Sequence, residues 1–251
     1  MIDSLLPITV AIASVVLAVG PVGSVARRYI GALRTRASNA RPDAATDPAA
    51  PTGEERAVAV RCPWLLGTAP QAGLALLLAS LTTMWGVSSD STADTVVALP
   101  VVAVLGVACT VDAMCHRLPN TLLLWAGLWV ASATAVRCVV ELATGSSAVA
   151  AGWPAVRAVL CAVGVAAALG VMAVLPSGLG MGDVKLWAIL ALWLGRFAVW
   201  VPLAGLTLGF LLGGLAAVVL VVLRQVGRKD HIAFGPYLLG GAWLAWLAAV
   251  A

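Results

Sequence analysis

The chain has 251 residues, 62% of them hydrophobic and 10% charged, with a formal net charge of +4. Soluble domains carry about 25% charged residues, so this balance excludes an ordinary water-soluble domain, and so small a net charge gives no footing for nucleic-acid binding. Apolar runs of roughly 20 residues follow one another, each long enough to cross a bilayer. Continuous runs rather than two-residue alternation select helices over a barrel, because in hydrocarbon every backbone polar group must be satisfied within its own segment. The expected fold is therefore all-α, a polytopic integral membrane bundle of about eight transmembrane helices.

Taken in chain order, the expected spans are Leu5 to Val25, Trp64 to Val87, Thr95 to Asp112, Thr121 to Val140, Trp153 to Leu175, Val184 to Trp200, Val201 to Leu223 and Phe234 to Ala251. The first lacks a basic stretch ahead of it and is followed by basic residues, so it reads as a retained span rather than a cleaved signal. Residues 1–26 then form the first helix, 27–63 a basic, poorly ordered cytoplasmic loop containing "RPDAATDPAAPTGEE", and 64–251 a multi-span domain. The loop's arginines could alternatively touch anionic lipid or a substrate. The sixth and seventh spans meet at Trp200-Val201-Pro202, which requires a tight turn; one long kinked helix is the competing reading. The five cysteines, Cys62, Cys109, Cys115, Cys138 and Cys161, form no C-x-x-C pair, so no structural zinc site is expected.

Fifteen Lys and Arg residues test the orientation. With both termini outside, Arg27, Arg28, Arg34, Arg36, Arg41, Arg56, Arg61, Arg117, Lys185, Arg224, Arg228 and Lys229 lie on the cytoplasmic side. Only Arg137, Arg157 and Arg196 fall outside, as the positive-inside rule requires. The same topology brings Asp112 and Asp183 to the cytoplasmic membrane face.

Carboxylates beside apolar spans are costly, which makes these two the candidates for function. Each also has a plain structural reading. Asp183 could cap a helix after a turn made by Gly180 and Gly182, and Asp112 could pair with His116 one turn on. Brought close together, two carboxylates share a proton and divide the roles of general acid and general base, which suits activation of water against a peptide bond. The glycines before Asp183 leave room for an extended substrate backbone. The two histidines, His116 and His231, complete no hydrolytic constellation, and no G-x-S-x-G, H-E-x-x-H or P-loop pattern occurs.

Three blocks carry a resemblance. Asp112 is followed, after Arg117, by Leu118, Pro119 and Asn120; "GMGDVKL" contains Gly180, Gly182, Asp183, Lys185 and Leu186; and the late "IAFGPYLLGG" contains Gly235 and Pro236. Over about Thr95 to Ala251 the chain resembles the type IV prepilin leader peptidases, within the wider group of G-x-G-D membrane aspartyl proteases. The resemblance implies catalytic roles for Asp112 and Asp183, with Gly180, Gly182, Lys185, Arg117, Pro119, Asn120, Gly235 and Pro236 as substrate-binding or motif support. It implies as substrate a type IV prepilin or pseudopilin, whose basic leader, glycine and following apolar helix meet the enzyme at the cytoplasmic (inner) membrane. Archaeal-type preflagellin processing is a narrower variant of the same reading.

Departures from the family pattern are local. Ala233 stands where the third block usually has proline. Members that also N-methylate the new amino terminus carry paired C-x-x-C motifs between the first two spans, and here only Cys62 stands in that region, although "GPVGSVARRYI" resembles the start of the longer form. No cofactor, and no S-adenosylmethionine site, is therefore expected. Lys185, two residues beyond Asp183, reads as a snorkelling lysine ahead of a catalytic one. Asn120 and Thr121 are expected to cap the fourth span, Gly205, Gly209 and Gly213 to pack closely against a neighbouring helix, and Trp64, Trp85, Trp153 and Trp200 to anchor at the interface. The expected partners are the prepilin substrate and the lipid bilayer, with a homodimer left open. Two other classes remain in view, a non-catalytic scaffold of a pilus or secretion apparatus and a proton-coupled transporter. The latter needs ionisable groups near the bilayer midplane.

Overall fold

The computed structural model describes residues 2–39, 63–175, 180–223 and 233–251, and the described residues are almost wholly helical. The order is α1 (Ile2–Leu17), a π turn (Ala18–Val22), α2 (Gly23–Asn39), a 3-10 turn (Pro63–Leu66), α3 (Thr68–Ser88), α4 (Thr92–Cys115), α5 (Asn120–Ala143), α6 (Ala148–Val174), α7 (Met181–Leu194), α8 (Trp200–Val222) and α9 (Gly235–Val250). Six helical stretches are long and apolar enough to cross a membrane. With α7 and α9, which run through the same bundle, they make a polytopic helical membrane protein, as the composition required.

Burial ranks the helices. In α4, 78% of the apolar stretch is buried inside the bundle, against 11% in α6. The centre of the fold is thus α4, packed by α1, α3, α5 and α9, while α6 turns most of its surface outward. Between the helices, three indole N–H groups have acceptors of the kind that water cannot supply in hydrocarbon. Trp85 donates to the Leu247 carbonyl at 2.8 Å, Trp129 to the Val97 carbonyl at 3.0 Å and Trp243 to Thr82 Oγ1 at 3.0 Å.

Several boundaries differ from the sequence reading. The first helix does not stop near Val25. Pro21, lacking an amide hydrogen, widens one turn into the π segment, and the helix then resumes as α2 through Asn39, so residues 27–39 are helical rather than loop. The rest of the expected loop, with Arg41, Arg56, Arg61 and Cys62, lies outside the described residues, as do Arg224, Arg228, Lys229 and His231. The turn between α7 and α8 falls at 195–199 rather than at Trp200-Val201-Pro202, and Pro202 sits in the first turn of α8, where its missing amide costs little. A single kinked helix is ruled out by Arg157. From α6 its guanidinium donates to the Gly195 carbonyl at 2.8 Å and the Phe197 carbonyl at 2.9 Å, and also to the Arg196 carbonyl, closing off the C-terminal end of α7. At the same end of the bundle Arg137 pairs with Asp94.

Of the expected tryptophan anchors, Trp64, Trp85, Trp153 and Trp200 are all exposed, whereas Trp187, Trp193 and Trp246 are fully buried and fill the core. The glycine row of α8 packs as expected. A Cβ on Gly205 would lie 3.2 Å from Ala242 Cα, and one on Gly209 would lie 3.1 Å from Leu238 Cα. The closest approach is from the α9 side, where a Cβ on Gly241 would stand 2.7 Å from Gly209 Cα. Gly241→Val should therefore push α8 and α9 apart and lower stability by about 1–3 kcal/mol, read as a lower thermal midpoint in detergent; an unchanged midpoint would contradict this packing.

Candidate active site

The helices carrying the three blocks all bring their motif ends to one end of the bundle. Asp112 sits in the last turn of α4, inside the helix rather than beyond it, and is only 5% exposed. Burying a carboxylate demands a partner. Here the amide of Gly235, first residue of α9, donates to Asp112 Oδ2 at 3.0 Å. The first four amides of any helix lack partners within it, and the positive end of the helix dipole favours an anion, so the α9 N-terminus and the carboxylate satisfy each other. Glycine at 235 leaves this carboxylate its place. A Cβ there would stand 2.8 Å from Asp112 Oδ2.

Directly after Asp112 the chain turns out of α4. His116 adopts the left-handed conformation (φ 52°) and its amide donates to the Asp112 carbonyl at 2.7 Å, ending the helix. Arg117 is exposed on the short connection, and Pro119, buried, takes the N-cap position of α5, its carbonyl accepting from Leu122 and Leu123. Asn120 is therefore not the cap that the sequence led one to expect; it is the first helical residue, and its side chain is engaged elsewhere.

Asp183 occupies the third position of α7, after Gly180 as N-cap. Its carboxylate reaches back to the Gly180 amide at 3.4 Å, the reciprocal contact made by acidic residues in a first helical turn. The capping reading and the functional reading of Asp183 thus hold together. Asp183 is half-buried in the polar turn ahead of the apolar run of α7, and its pKa is pushed up to about 6. Burial is the main cause and the charge of Asp112 the second, with the Gly180 amide working against both.

Two further contacts join the motifs. Lys185 Nζ donates to Asn120 Oδ1 at 3.2 Å, so the lysine ties α7 to the start of α5. A Cβ on Gly182 would lie 3.4 Å from Leu118 Cβ, which shows how closely the second block packs on the first. Pro236 follows Gly235 in the first turn of α9. All ten sequence-nominated residues thus stand at one end of the bundle, with Arg117 at the edge. Sequence reasoning passed over Cys109, three residues before Asp112 and therefore on the same helical face; it lies within electrostatic reach of both aspartates. It also treated Gly235 as motif support only, whereas its amide is the partner of Asp112.

Two expectations follow. Gly235→Ala should displace the Asp112 side chain and cut activity by about tenfold or more while the chain still folds, whereas a Cβ on Gly180 meets nothing closer than Asp183 Oδ2 at 3.5 Å, so Gly180→Ala should fold normally. Side-by-side turnover and thermal-unfolding measurements on the two variants check this. The raised pKa of Asp183 also makes a stability statement. An unfolded carboxyl titrates near 4, so the folded chain holds this proton more tightly. That contribution is complete below about pH 4 and is lost as the pH rises through about 6. Asp183→Asn escapes the loss and should raise the thermal midpoint over the parent at pH 8 but not at pH 4; equal shifts at both values would contradict the raised pKa.

Comparison with known proteins adds a family. The type IV leader peptidase family matches residues 99–227, just over half of the 251. A "Prepilin leader peptidase/N-methyltransferase" of Aeromonas salmonicida (strain A449) is 41% identical over 70 residues, 28% of this chain and 23% of that protein. The Aeromonas hydrophila protein described in the same words matches at 41% over 70 residues as well. The matched segment thus spans under a quarter of the length of these relatives. No solved structure matches the chain. The family match takes in Asp112, Pro119, Asn120, Gly180, Gly182, Asp183 and Lys185, and on that match the chain belongs to the type IV leader peptidase family.

Proposed function

We propose that this chain is a membrane aspartic endopeptidase that removes the leader peptide of type IV prepilins or pseudopilins at the cytoplasmic face of the cytoplasmic (inner) membrane. One observation carries the reading: two carboxylates from separate motifs, Asp112 and Asp183, stand at the same end of one helical bundle, held by the Gly235 and Gly180 amides, and the charge of Asp112 raises the pKa of Asp183. Such a pair holds one proton between its members. The ionised carboxylate takes a proton from water as the water oxygen attacks the scissile carbonyl. The protonated one donates to the carbonyl oxygen as the tetrahedral intermediate forms, and a proton then passes to the leaving amine as the C–N bond breaks. Because the carboxylates supply both transfers, the reading invokes no cofactor, and it stops at cleavage without N-methylation.

The remaining residues position the pair. The Gly235 amide orients the Asp112 carboxylate, the Lys185–Asn120 bond fixes α7 against α5, Gly182 lets Leu118 pack against the start of α7, and Gly180 puts no side chain beside Asp183. The basic residues Arg27, Arg28, Arg34 and Arg117 fall at the aspartate end and Arg137, Arg157 and Arg196 at the other, the distribution that supports a cytoplasmic site. Cleavage where a polar leader meets an apolar helix suits carboxylates at a membrane rim rather than at the midplane, which favours a peptidase over a transporter.

The test is cleavage of a prepilin in membranes. Asp112→Asn and Asp183→Asn should each insert and fold yet lose at least about a hundredfold in rate. A variant of either aspartate that still processes the prepilin at the parent rate would overturn the assignment.

A further inference from the structure

The end of the bundle away from the aspartates carries more positive charge than the acids around it answer. Arg137, Arg157 and Arg196 gather there with Asp94 and Glu141; Asp90, at the same end, is exposed on the α3–α4 turn. Two of the three arginines are engaged. Arg137 pairs with Asp94, and Arg157 gives its Nε and Nη2 to the carbonyls that close α7, which leaves its Nη1. Arg196 has no acid within ion-pair distance among the described residues, and its Nε is buried without a hydrogen-bond partner. Burial lowers the pKa of its guanidinium, and the charges of Arg137 and Arg157 lower it further against the opposing pull of Asp94 and Glu141. This cation is short of negative charge.

Arg157 also stands in the wall of a groove of about 470 Å³ between α6 and α8. Trp153 and Arg157 lie at one end of it, and the rest is apolar, with Leu160, Gly164, Leu203 and Leu206 in its lining. From Arg157 to Leu169, the last α6 residue of the lining, the helix rises about 18 Å. That is close to the depth of hydrocarbon in one leaflet, about 15 Å. Two other apolar grooves, about 460 Å³ between α1 and α3 and about 330 Å³ between α3, α4 and α9, have no charged residue in their walls.

We propose that the α6–α8 groove, with Arg157 in its wall and Arg196 beside it, binds one anionic phospholipid of the leaflet on the side away from the aspartates. An acyl chain lies along α6, and the headgroup phosphate meets the two guanidinium groups. The charge placement selects this occupant. A second apolar helix would cover the walls and leave the cations unanswered, whereas a phosphate offers the oxygens that guanidinium N–H groups bind best. Unmatched positive charge further favours a headgroup with net negative charge over a zwitterionic one. Trp153, exposed one turn before Arg157, stands at the level where an indole meets headgroups. The site is at the opposite end of the bundle from Asp112 and Asp183 and stands independently of the peptidase reading. Because Arg157 also holds the carbonyls at the end of α7, the bound phosphate would brace that helix.

The experiment purifies the full chain in detergent, mixes it with equal amounts of phosphatidylglycerol and phosphatidylcholine, and counts the lipids retained by native mass spectrometry. The parent should keep one phosphatidylglycerol in preference to phosphatidylcholine. Arg196→Gln should cut that preference about fivefold. A Cβ on Gly164 meets nothing within 4 Å, so Gly164→Leu should fold, fill the middle of the groove and lose the retained lipid of either kind. Arg34→Gln, an exposed arginine at the aspartate end, should behave as the parent. Equal retention of the two lipids by the parent, an unchanged preference in Arg196→Gln, an equal loss in Arg34→Gln, or lipid held by Gly164→Leu as firmly as by the parent would each overturn the site. So would displacement of the lipid by millimolar glycerol phosphate, which carries the anion without the chains. Should the thermal midpoint show that Arg196→Gln does not fold, Gly164→Leu and the parent's lipid preference decide the matter.

Discussion

The hydrogen bond from the Gly235 amide to the Asp112 carboxylate is the contact on which the geometry of the site depends. A carboxylate buried in a mostly apolar helix is tolerable only with a fixed donor beside it, and an amide at a buried helix start is tolerable only with an acceptor. Each supplies what the other lacks. Their meeting requires α9 to begin against the last turn of α4, and that in turn requires α9 to be held laterally. The hold comes from α8, whose Gly205 and Gly209 let the α9 backbone come close. Residues far apart in sequence thus answer to one electrostatic need.

The second carboxylate is fixed by a different device. At 14 residues α7 is a short rod, secured at both ends. At the Asp183 end Gly182 rests on Leu118 and Lys185 reaches Asn120; at the far end Arg157 binds the carbonyls that close the helix. Movement of α7 along its axis would break one set of contacts or the other. Asp183 therefore keeps its place relative to Asp112 through the whole length of the helix and not through its own turn alone.

Much of this was legible in the sequence, for reasons that differ from element to element. Long apolar runs and basic connections give the polytopic helical membrane class, because it follows from the solvent in which the chain must fold, whereas among the described residues six stretches rather than the expected eight are long and apolar enough to cross a membrane. The two aspartates stood out because charge is rare in such a chain. The glycine row in α8 was readable from its four-residue spacing. What escaped was whatever depends on a partner. The α1–α2 continuation was hidden because Arg27, Arg28, Arg34 and Arg36 look like loop residues until Pro21 is seen to widen a turn rather than stop the helix. The end of α7 was misplaced because an apolar run from Val184 to Trp200 says nothing of the guanidinium that cuts it short. Asn120 was taken for a cap because its acceptor role toward Lys185 exists only across helices.

The overlong first helix also works as a depth gauge. Ala18 of its π turn and Gly106 of α4 line the same small cavity, so the two positions lie at about one level in the bundle. Nine residues further along, Arg27 stands about 13 Å nearer the surface, and its exposed charge, with that of Arg28, keeps that level among lipid headgroups and water. Asp112, six residues beyond Gly106, comes to rest about one helical turn beneath it. The arginines thus mark a level about one turn above the carboxylates, so that on the peptidase reading proposed above the pair lies just under the waterline, where a chain would leave the oil.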